Sequence, residues 1–206
     1  MTIESENRIP VDFWFDAMCP WSWIASRWLL EVERIRPVDL RWHVMSWSIL
    51  QQGVDLPPEH VEIVRQGWGP ARVAIAVEQR HGNTGLGALY SAYGKRYQHQ
   101  GRTLNRAAIV DSLNEIGLPA DLVDAAEDKD YDDALLASHT DAMDRVGYEV
   151  GTPIMAINGV AYFGPVMSPI PRGEEAGRLF DGLVLVSGTK GFFELKRSRT
   201  QAPIIR

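Results

Sequence analysis

Cys19 is the only cysteine in the 206 residues, and its position makes it the first candidate for chemistry. It lies in the segment Phe15-Asp16-Ala17-Met18-Cys19-Pro20-Trp21-Ser22, which joins an apolar run to the start of a predicted helix. A single thiol cannot form a disulfide framework within its own chain. At such a junction it is a candidate nucleophile, because its sulfur faces the unpaired backbone N–H groups that begin a helix.

Pro20 supports a helix that begins directly after Cys19, because proline is pre-organised for the first helical position. The positive end of that helix is then expected to lower the pKa of the Cys19 thiol from about 8.5 into the range of roughly 3.5–7.5. The alternative is that Cys19 is a small buried core residue, as free cysteines often are. Its place at a strand-to-helix junction favours the reactive interpretation.

Ser22 stands three residues after Cys19, where a dithiol enzyme carries a second cysteine. A serine hydroxyl cannot form a disulfide, so a mixed disulfide on Cys19 would need an external thiol for its release. Ser22 can also satisfy a backbone donor at the helix start while it donates to a Cys19 thiolate. Trp21, between the two, is predicted to present its ring face to a ligand.

On either side of this segment, apolar residues recur with one of two spacings, that of a strand or that of a helix. Alternating polarity predicts strands over 11–15 and 38–44, and an apolar stripe that ends at Pro37 predicts a helix over 23–36. From Trp47 onwards the pattern is helical as far as about residue 147. The helices predicted there cover 70–81, 86–98, 105–116 and 131–146.

After Gly151-Thr152-Pro153, apolar residues again recur at the two-residue spacing of a strand. Asn158-Gly159 predicts a hairpin between strands 154–157 and 160–163, and a last helix and a tail follow. This order predicts an α/β protein with a thioredoxin fold that carries a helical domain between its second and third strands. Residues 1–50 and 148–206 would form the thioredoxin-like domain, and residues 51–147 the inserted helical domain.

The same order predicts a cis Pro153, with the backbone of Thr152 exposed beside Cys19. An extended thiol ligand would then pair with that backbone like an added strand. Within the insertion, Trp68, Arg72 and His99 are predicted to line a lid over the ligand.

Composition argues against several other function classes. The formal net charge of −6 does not favour nucleic acid or an anionic membrane as a partner. The histidines and the lone cysteine show no metal-ligand spacing, and Gly85 and Gly87 follow no predicted strand, so neither a metal nor a nucleotide site is expected. No segment reads as a signal peptide or a membrane span, so we expect a cytoplasmic protein with a reduced thiol.

Several segments spread over nearly the whole chain carry a family resemblance. They are Phe13-Trp14-Phe15-Asp16 through Cys19-Pro20-Trp21, Trp68-Gly69-Pro70, Arg72 to Ala76, Gly151-Thr152-Pro153, Gly159 to Pro165, Ile170 to Gly177 and Phe192 to Arg197. With them the chain resembles the actinobacterial DsbA-like oxidoreductases described as mycothiol-dependent reductases or nitroreductases. The resemblance implies reduction of disulfides or small electrophiles, with mycothiol as co-substrate and glutathione as the alternative.

Ser22 departs from that family's pattern, which has a second cysteine there; it either restricts the enzyme to monothiol chemistry or traps its mixed disulfide. A second resemblance, from Pro20 to Trp23, is to kappa-class glutathione transferases and hydroxychromene-carboxylate isomerases. Those proteins carry serine where Cys19 stands and bind glutathione without covalent exchange. A binding module without catalysis is the third hypothesis.

Overall fold

The structure, a computed structural model, describes residues 8–205. Its sheet has four strands in the order β2-β1-β3-β4. The central strand β1 pairs in parallel with β2 and antiparallel with β3, and β4 pairs antiparallel with β3. The strands are β1 Ile9–Phe15, β2 Val38–Val44, β3 Ile154–Ile157 and β4 Val160–Phe163.

Between β2 and β3 the described chain forms only helices and turns. The α-helices of the molecule are α1 Pro20–Glu33, α2 Trp47–Leu50, α3 Pro58–Gly94, α4 Arg106–Glu115, α5 Asp132–Val146 and α6 Gly173–Ser187. The last turn of α3 continues into a π-helical turn, Lys95–His99, and two short 3₁₀ helices, Ala120–Ala126 and Lys129–Tyr131, precede α5.

The predicted strands and hairpin are confirmed, whereas several predicted helices differ from the observed ones in their bounds. Asn158 and Gly159 form the hairpin turn with φ of 51° and 81°. The helices expected over 70–81 and 86–98 lie within α3 and its π-helical continuation. The non-helical backbone at Gly82 separates them as predicted, whereas the first helical segment begins earlier, at Pro58, and contains Pro70. Pro70 and Ala71 are buried, so packing overrides the preference of proline for a helix start.

The sheet and the helical insertion share one core. Phe15 at the end of β1 stacks on Tyr90 of α3, with ring centroids 3.8 Å apart. Gly94, later in α3, lies so close to Trp23 of α1 that an added Cβ would overlap the indole ring. The division into two domains stays a prediction, and a continuous cluster of buried apolar side chains crosses the predicted boundary.

Side-chain contacts also place α1 and the edge of the sheet. The Asn83 amide accepts from the backbone N–H of Trp42 at 2.9 Å and donates to its carbonyl at 2.7 Å, which covers the edge strand β2. The Trp28 indole N–H donates to the carbonyl of Ala176 at 3.0 Å and so ties α1 to α6. α1 is therefore held between α3 and α6.

The described residues contain neither a membrane-spanning helix nor a metal-binding cluster. No helix within 8–205 combines the length and the apolar character that crossing a bilayer requires. Over the same range, no group of three or more histidine, cysteine, aspartate or glutamate side chains is placed to hold a metal ion.

Candidate active site

Cys19 caps the N-terminus of α1. Its backbone is extended, with φ of −71° and ψ of 120°, and Pro20 is the first helical residue, as predicted. The sulfur accepts a hydrogen bond from the backbone N–H of Ser22 at 3.4 Å. Cys19 keeps partial exposure to solvent, so its thiol has a route to a substrate.

The loop before β3 brings a second chain segment against the sulfur. The Thr152–Pro153 peptide bond is cis, as predicted. The predicted exposure of the Thr152 backbone is wrong, because Thr152 and Pro153 are both buried. The Cys19 thiol donates to the carbonyl oxygen of Thr152 at 3.6 Å, and the hydroxyls of Ser22 and Thr152 are 2.7 Å apart. The fold therefore assembles Cys19, Ser22, Thr152 and Pro153, although more than a hundred residues separate the two segments.

A buried carboxylate, which the sequence analysis did not single out, organises the loop beneath Cys19. Asp16 accepts hydrogen bonds from the backbone N–H groups of Met18 at 2.8 Å and Cys19 at 3.0 Å. Its other oxygen accepts from Trp47 N–H at 2.7 Å. Burial raises the pKa of Asp16, and these three bonds lower it in part. The sequence does contain a signal for this role of Asp16. An aspartate at the end of a strand can accept a hydrogen bond from the backbone N–H two residues later, which is an Asx-turn.

The expected low pKa of Cys19 is corrected by the structure. Burial of the sulfur raises the pKa of the Cys19 thiol, and the charge of Asp16 raises it further. The N–H groups of Ser22 and Trp21 and the Ser22 hydroxyl lower this pKa, but they do not outweigh the two larger causes. The helix-start donors are present as predicted, yet desolvation leaves the neutral thiol as the main form at neutral pH.

Trp21 contacts the tail of the chain. Its partly buried side chain packs against the core, and the guanidinium carbon of Arg199 lies 5.5 Å from the centre of its ring. The neighbouring Pro20 is partly exposed. The binding roles predicted for Trp21 and Pro20 stay predictions, and the contact with Arg199 adds a charged residue to this side of the site.

The π-helical turn Lys95–His99 reaches the cysteine loop. The Gln98 amide donates to the carbonyl of Met18 at 3.0 Å, directly before Cys19. His99 is exposed and meets Trp23 edge-on, with ring centroids 5.6 Å apart. Sequence reasoning placed His99 in this region but missed Gln98, whose role depends on a turn that only the folded insertion forms; such turns are frequent at functional sites.

Arg72 and Trp68 have partners inside the insertion. Both oxygens of Asp132 accept from Arg72, at 2.6 and 3.0 Å, and the carbonyl of Ala126 accepts at 3.2 Å. The guanidinium carbon of Arg72 lies 5.3 Å from the centre of the Trp68 ring. Within residues 8–205 no hydrogen bond joins either residue to Cys19. Their predicted binding roles remain predictions without a contact in their favour.

Comparison with known proteins gives a family match over most of the chain. A family described as Rv2466c-like, mycothiol-dependent nitroreductase Rv2466c, matches residues 18–197. This range contains Cys19, Ser22 and the Thr152-Pro153 pair, and it leaves the last residues of the tail outside.

Solved structures show the same fold at low identity. A probable DsbA oxidoreductase, SCO1869 from Streptomyces coelicolor, is 16% identical with a TM-score of 0.62, over 95% of this chain and 96% of that one. The cytosolic disulfide reductase DsbM from Pseudomonas aeruginosa, solved with GSH, is 17% identical with a TM-score of 0.58, over 85% and 99%. A 2-hydroxychromene-2-carboxylate isomerase is 11% identical with a TM-score of 0.61, over 85% and 93%. These likenesses confirm the predicted DsbA-like thioredoxin fold.

Proposed function

Because the chain belongs to the Rv2466c-like family of mycothiol-dependent nitroreductases, we propose that it is a thiol-dependent reductase with Cys19 as its nucleophile. One observation carries this proposal. The sulfur of the only cysteine caps α1 and faces the carbonyl of Thr152 at 3.6 Å, before a cis proline. Nucleophile, helix-start donors and the buried backbone of Thr152 thus occur at one place.

The proposed reaction is an exchange of disulfides in two steps. The Cys19 sulfur, after loss of its proton, attacks one sulfur of a disulfide substrate; a new S–S bond forms, and the other half leaves as a thiolate that takes up a proton. A low-molecular-weight thiolate then attacks the substrate sulfur of the mixed disulfide and frees Cys19. One half of the substrate is thus released as a thiol, and the other half ends in a mixed disulfide with the external thiol; a second external thiol must attack that mixed disulfide to free the other half and complete the reduction.

Ser22 determines how the second step proceeds. Its side chain is fully buried, and its hydroxyl pairs with the Thr152 hydroxyl at 2.7 Å. Since the chain holds no second sulfur, the mixed disulfide on Cys19 waits for an external thiol. The Ser22 N–H and hydroxyl remain in place to stabilise the Cys19 thiolate that attacks in the first step and that the second step regenerates.

Mycothiol is the first choice for that thiol, because the family is described by its dependence on it. Glutathione is the alternative, since the structurally similar DsbM was solved with GSH. Either thiol would be supplied by a reducing compartment, which is why we place the protein in the cytoplasm.

A second candidate function is a thiol transferase or isomerase that binds its thiol without covalent exchange. Its support is the shared fold with a 2-hydroxychromene-2-carboxylate isomerase. The two candidates differ in one observable, because only the reductase forms a covalent adduct on Cys19.

The deciding experiment is intact mass after incubation with oxidised mycothiol and, in parallel, oxidised glutathione. The parent protein is expected to gain one thiol, and Cys19→Ala none. Ser22→Cys is expected to shed the adduct and lose two hydrogens as an internal disulfide forms. Ser22→Ala is the matched control, because it removes the hydroxyl without adding sulfur and should keep the adduct.

Two results would contradict the reductase. No adduct on the parent with either oxidised thiol would favour the second candidate. Reduction of a mixed disulfide by Cys19→Ala at the parent rate would exclude Cys19 as the nucleophile.

A further inference from the structure

The end of the chain is tied down beside the active site. Residues 190–205 form no helix or strand, yet Ser168 holds residues 199–205, which we call the strap. The Ser168 hydroxyl accepts from the N–H of Ile204 at 2.9 Å and donates to the carbonyl of Ala202 at 3.4 Å. The Gln201 amide donates to the Ser168 carbonyl, and Ile205 packs against the core. These anchors give the strap a defined path.

That path brings a cation to the first turn of α1. The guanidinium carbon of Arg199 lies 5.5 Å from the centre of the Trp21 ring, and Trp21 is two residues from Cys19. Arg199 is exposed. Among the residues that the structure describes, no carboxylate lies within ion-pair distance of it. Its charge therefore remains available to a ligand.

The interior beneath the sulfur carries the opposite charge. Asp16 is buried there and accepts from the N–H of Cys19 at 3.0 Å. A substrate with an anionic group near its reacting atom would meet repulsion from Asp16 unless a cation stood on the solvent side. Arg199, exposed beside the ring of Trp21, is the cation that the fold brings to this turn of α1, and its guanidinium donors can bind a carboxylate or a related oxyanion.

We propose that Arg199, held on Trp21 by the strap, binds an anionic group of the molecule that Cys19 attacks. The substrate class is a disulfide or electrophile that carries a carboxylate, sulfonate or phosphate close to its reacting atom. This inference rests on the proposed function, since it takes Cys19 as the nucleophile.

The test is the alkylation of Cys19 by two reagents of one chemistry and different charge, iodoacetate and neutral iodoacetamide. With a single cysteine, intact mass reports each rate on one site. At low salt, the ratio of the iodoacetate rate to the iodoacetamide rate is expected to fall about threefold in Arg199→Gln. This is the size of the attraction that one exposed cation exerts on an anion in contact with it. The parent ratio should approach that of the variant in about 1 M salt, where the Debye length is ~3 Å.

Two further variants separate the strap from general charge. Arg197→Gln removes a neighbouring exposed cation that makes no contact with Trp21, so its ratio should match that of the parent. Ser168→Ala keeps every charge but removes two anchors of the strap, so its ratio should fall towards that of Arg199→Gln.

The outcomes distinguish this proposal from the proposed function. An unchanged ratio in Arg199→Gln, or an equal fall in Arg197→Gln, would overturn the subsite and leave Cys19 as the nucleophile. Failure of Cys19 to react with either reagent would overturn both proposals.

Discussion

At the scale of single residues, the reactivity of Cys19 is set by two opposed influences. The N–H groups at the start of α1 and the Ser22 hydroxyl favour the thiolate. Burial and the charge of Asp16 favour the thiol, and their combined effect raises the pKa of Cys19. A substrate that binds beside the sulfur changes the hydration of the sulfur and the electric field around the sulfur. The cysteine is therefore protected in the free protein and depends on its surroundings for activation.

Asp16→Asn is expected to lower the pKa of Cys19, because it removes the charge that is the second cause of the raised value. The rate of iodoacetamide alkylation followed against pH should show a lower midpoint, and the rate at neutral pH should rise severalfold. Asp12→Asn is the matched control, since Asp12 lies on β1, the strand that leads to Asp16, but pairs with His43. An Asp16→Asn midpoint equal to that of the parent would show that desolvation alone sets the pKa.

At the scale of elements, α3 does most to position the site from outside the sheet. Its second half packs against Phe15 and Trp23, and the π-helical turn that follows it holds the Met18 carbonyl through Gln98. Trp23 belongs to the first turns of α1, directly after Ser22. A change in the spacing between α3 and α1 would therefore move the loop that precedes Cys19.

Gly94→Ala is expected to destabilise the fold by about 2 kcal/mol, because the added methyl group overlaps the Trp23 ring and neither helix can withdraw without loss of packing. Denaturant unfolding would measure the change. Gly182→Ala in α6 is the control: nothing lies within 4 Å of its added Cβ, and helix propensity predicts a gain of about 0.5–1 kcal/mol. If Gly94→Ala lowered the free energy of unfolding by no more than a few tenths of a kcal/mol, α1 and α3 would be shown to separate easily.

At the scale of the whole molecule, one core joins the sheet, α1 and the insertion, so the protein should unfold as a single unit. His139 of α5 is buried where the insertion returns to the sheet, and it accepts from the Ser46 N–H at 3.3 Å. Burial lowers the pKa of His139 from 6.5 to about 4. Protonation of this side chain therefore opposes the packing of α5 on the segment after β2.

The free energy of unfolding should fall as the pH is lowered from 6.5 towards 4, because the unfolded chain takes up a proton at His139 that the folded chain does not. The loss attributable to His139 is about 2 kcal/mol once solvent screening is allowed for. Asp16, whose pKa is raised in the fold, acts in the opposite direction, so variants must be compared rather than single slopes.

His139→Gln keeps an acceptor for Ser46 and should flatten this dependence, as measured by denaturant unfolding across the pH range. His81→Gln, at an exposed position, should leave the dependence unchanged. A parent-like slope in His139→Gln would assign the acid sensitivity to other groups.

The sequence by itself determined the elements and their order, because alternation, the stop at Pro37 and the Asn158-Gly159 turn are local properties of the chain. It also determined that Cys19 caps a helix and that no internal disulfide can form. Only the tertiary structure decided that Asp16 is buried beneath the thiol, that Gln98 holds the loop and that Arg199 covers Trp21. The physical reason is distance along the chain: desolvation and charge at Cys19 come from groups in several segments, and no local pattern records which of them fold against it.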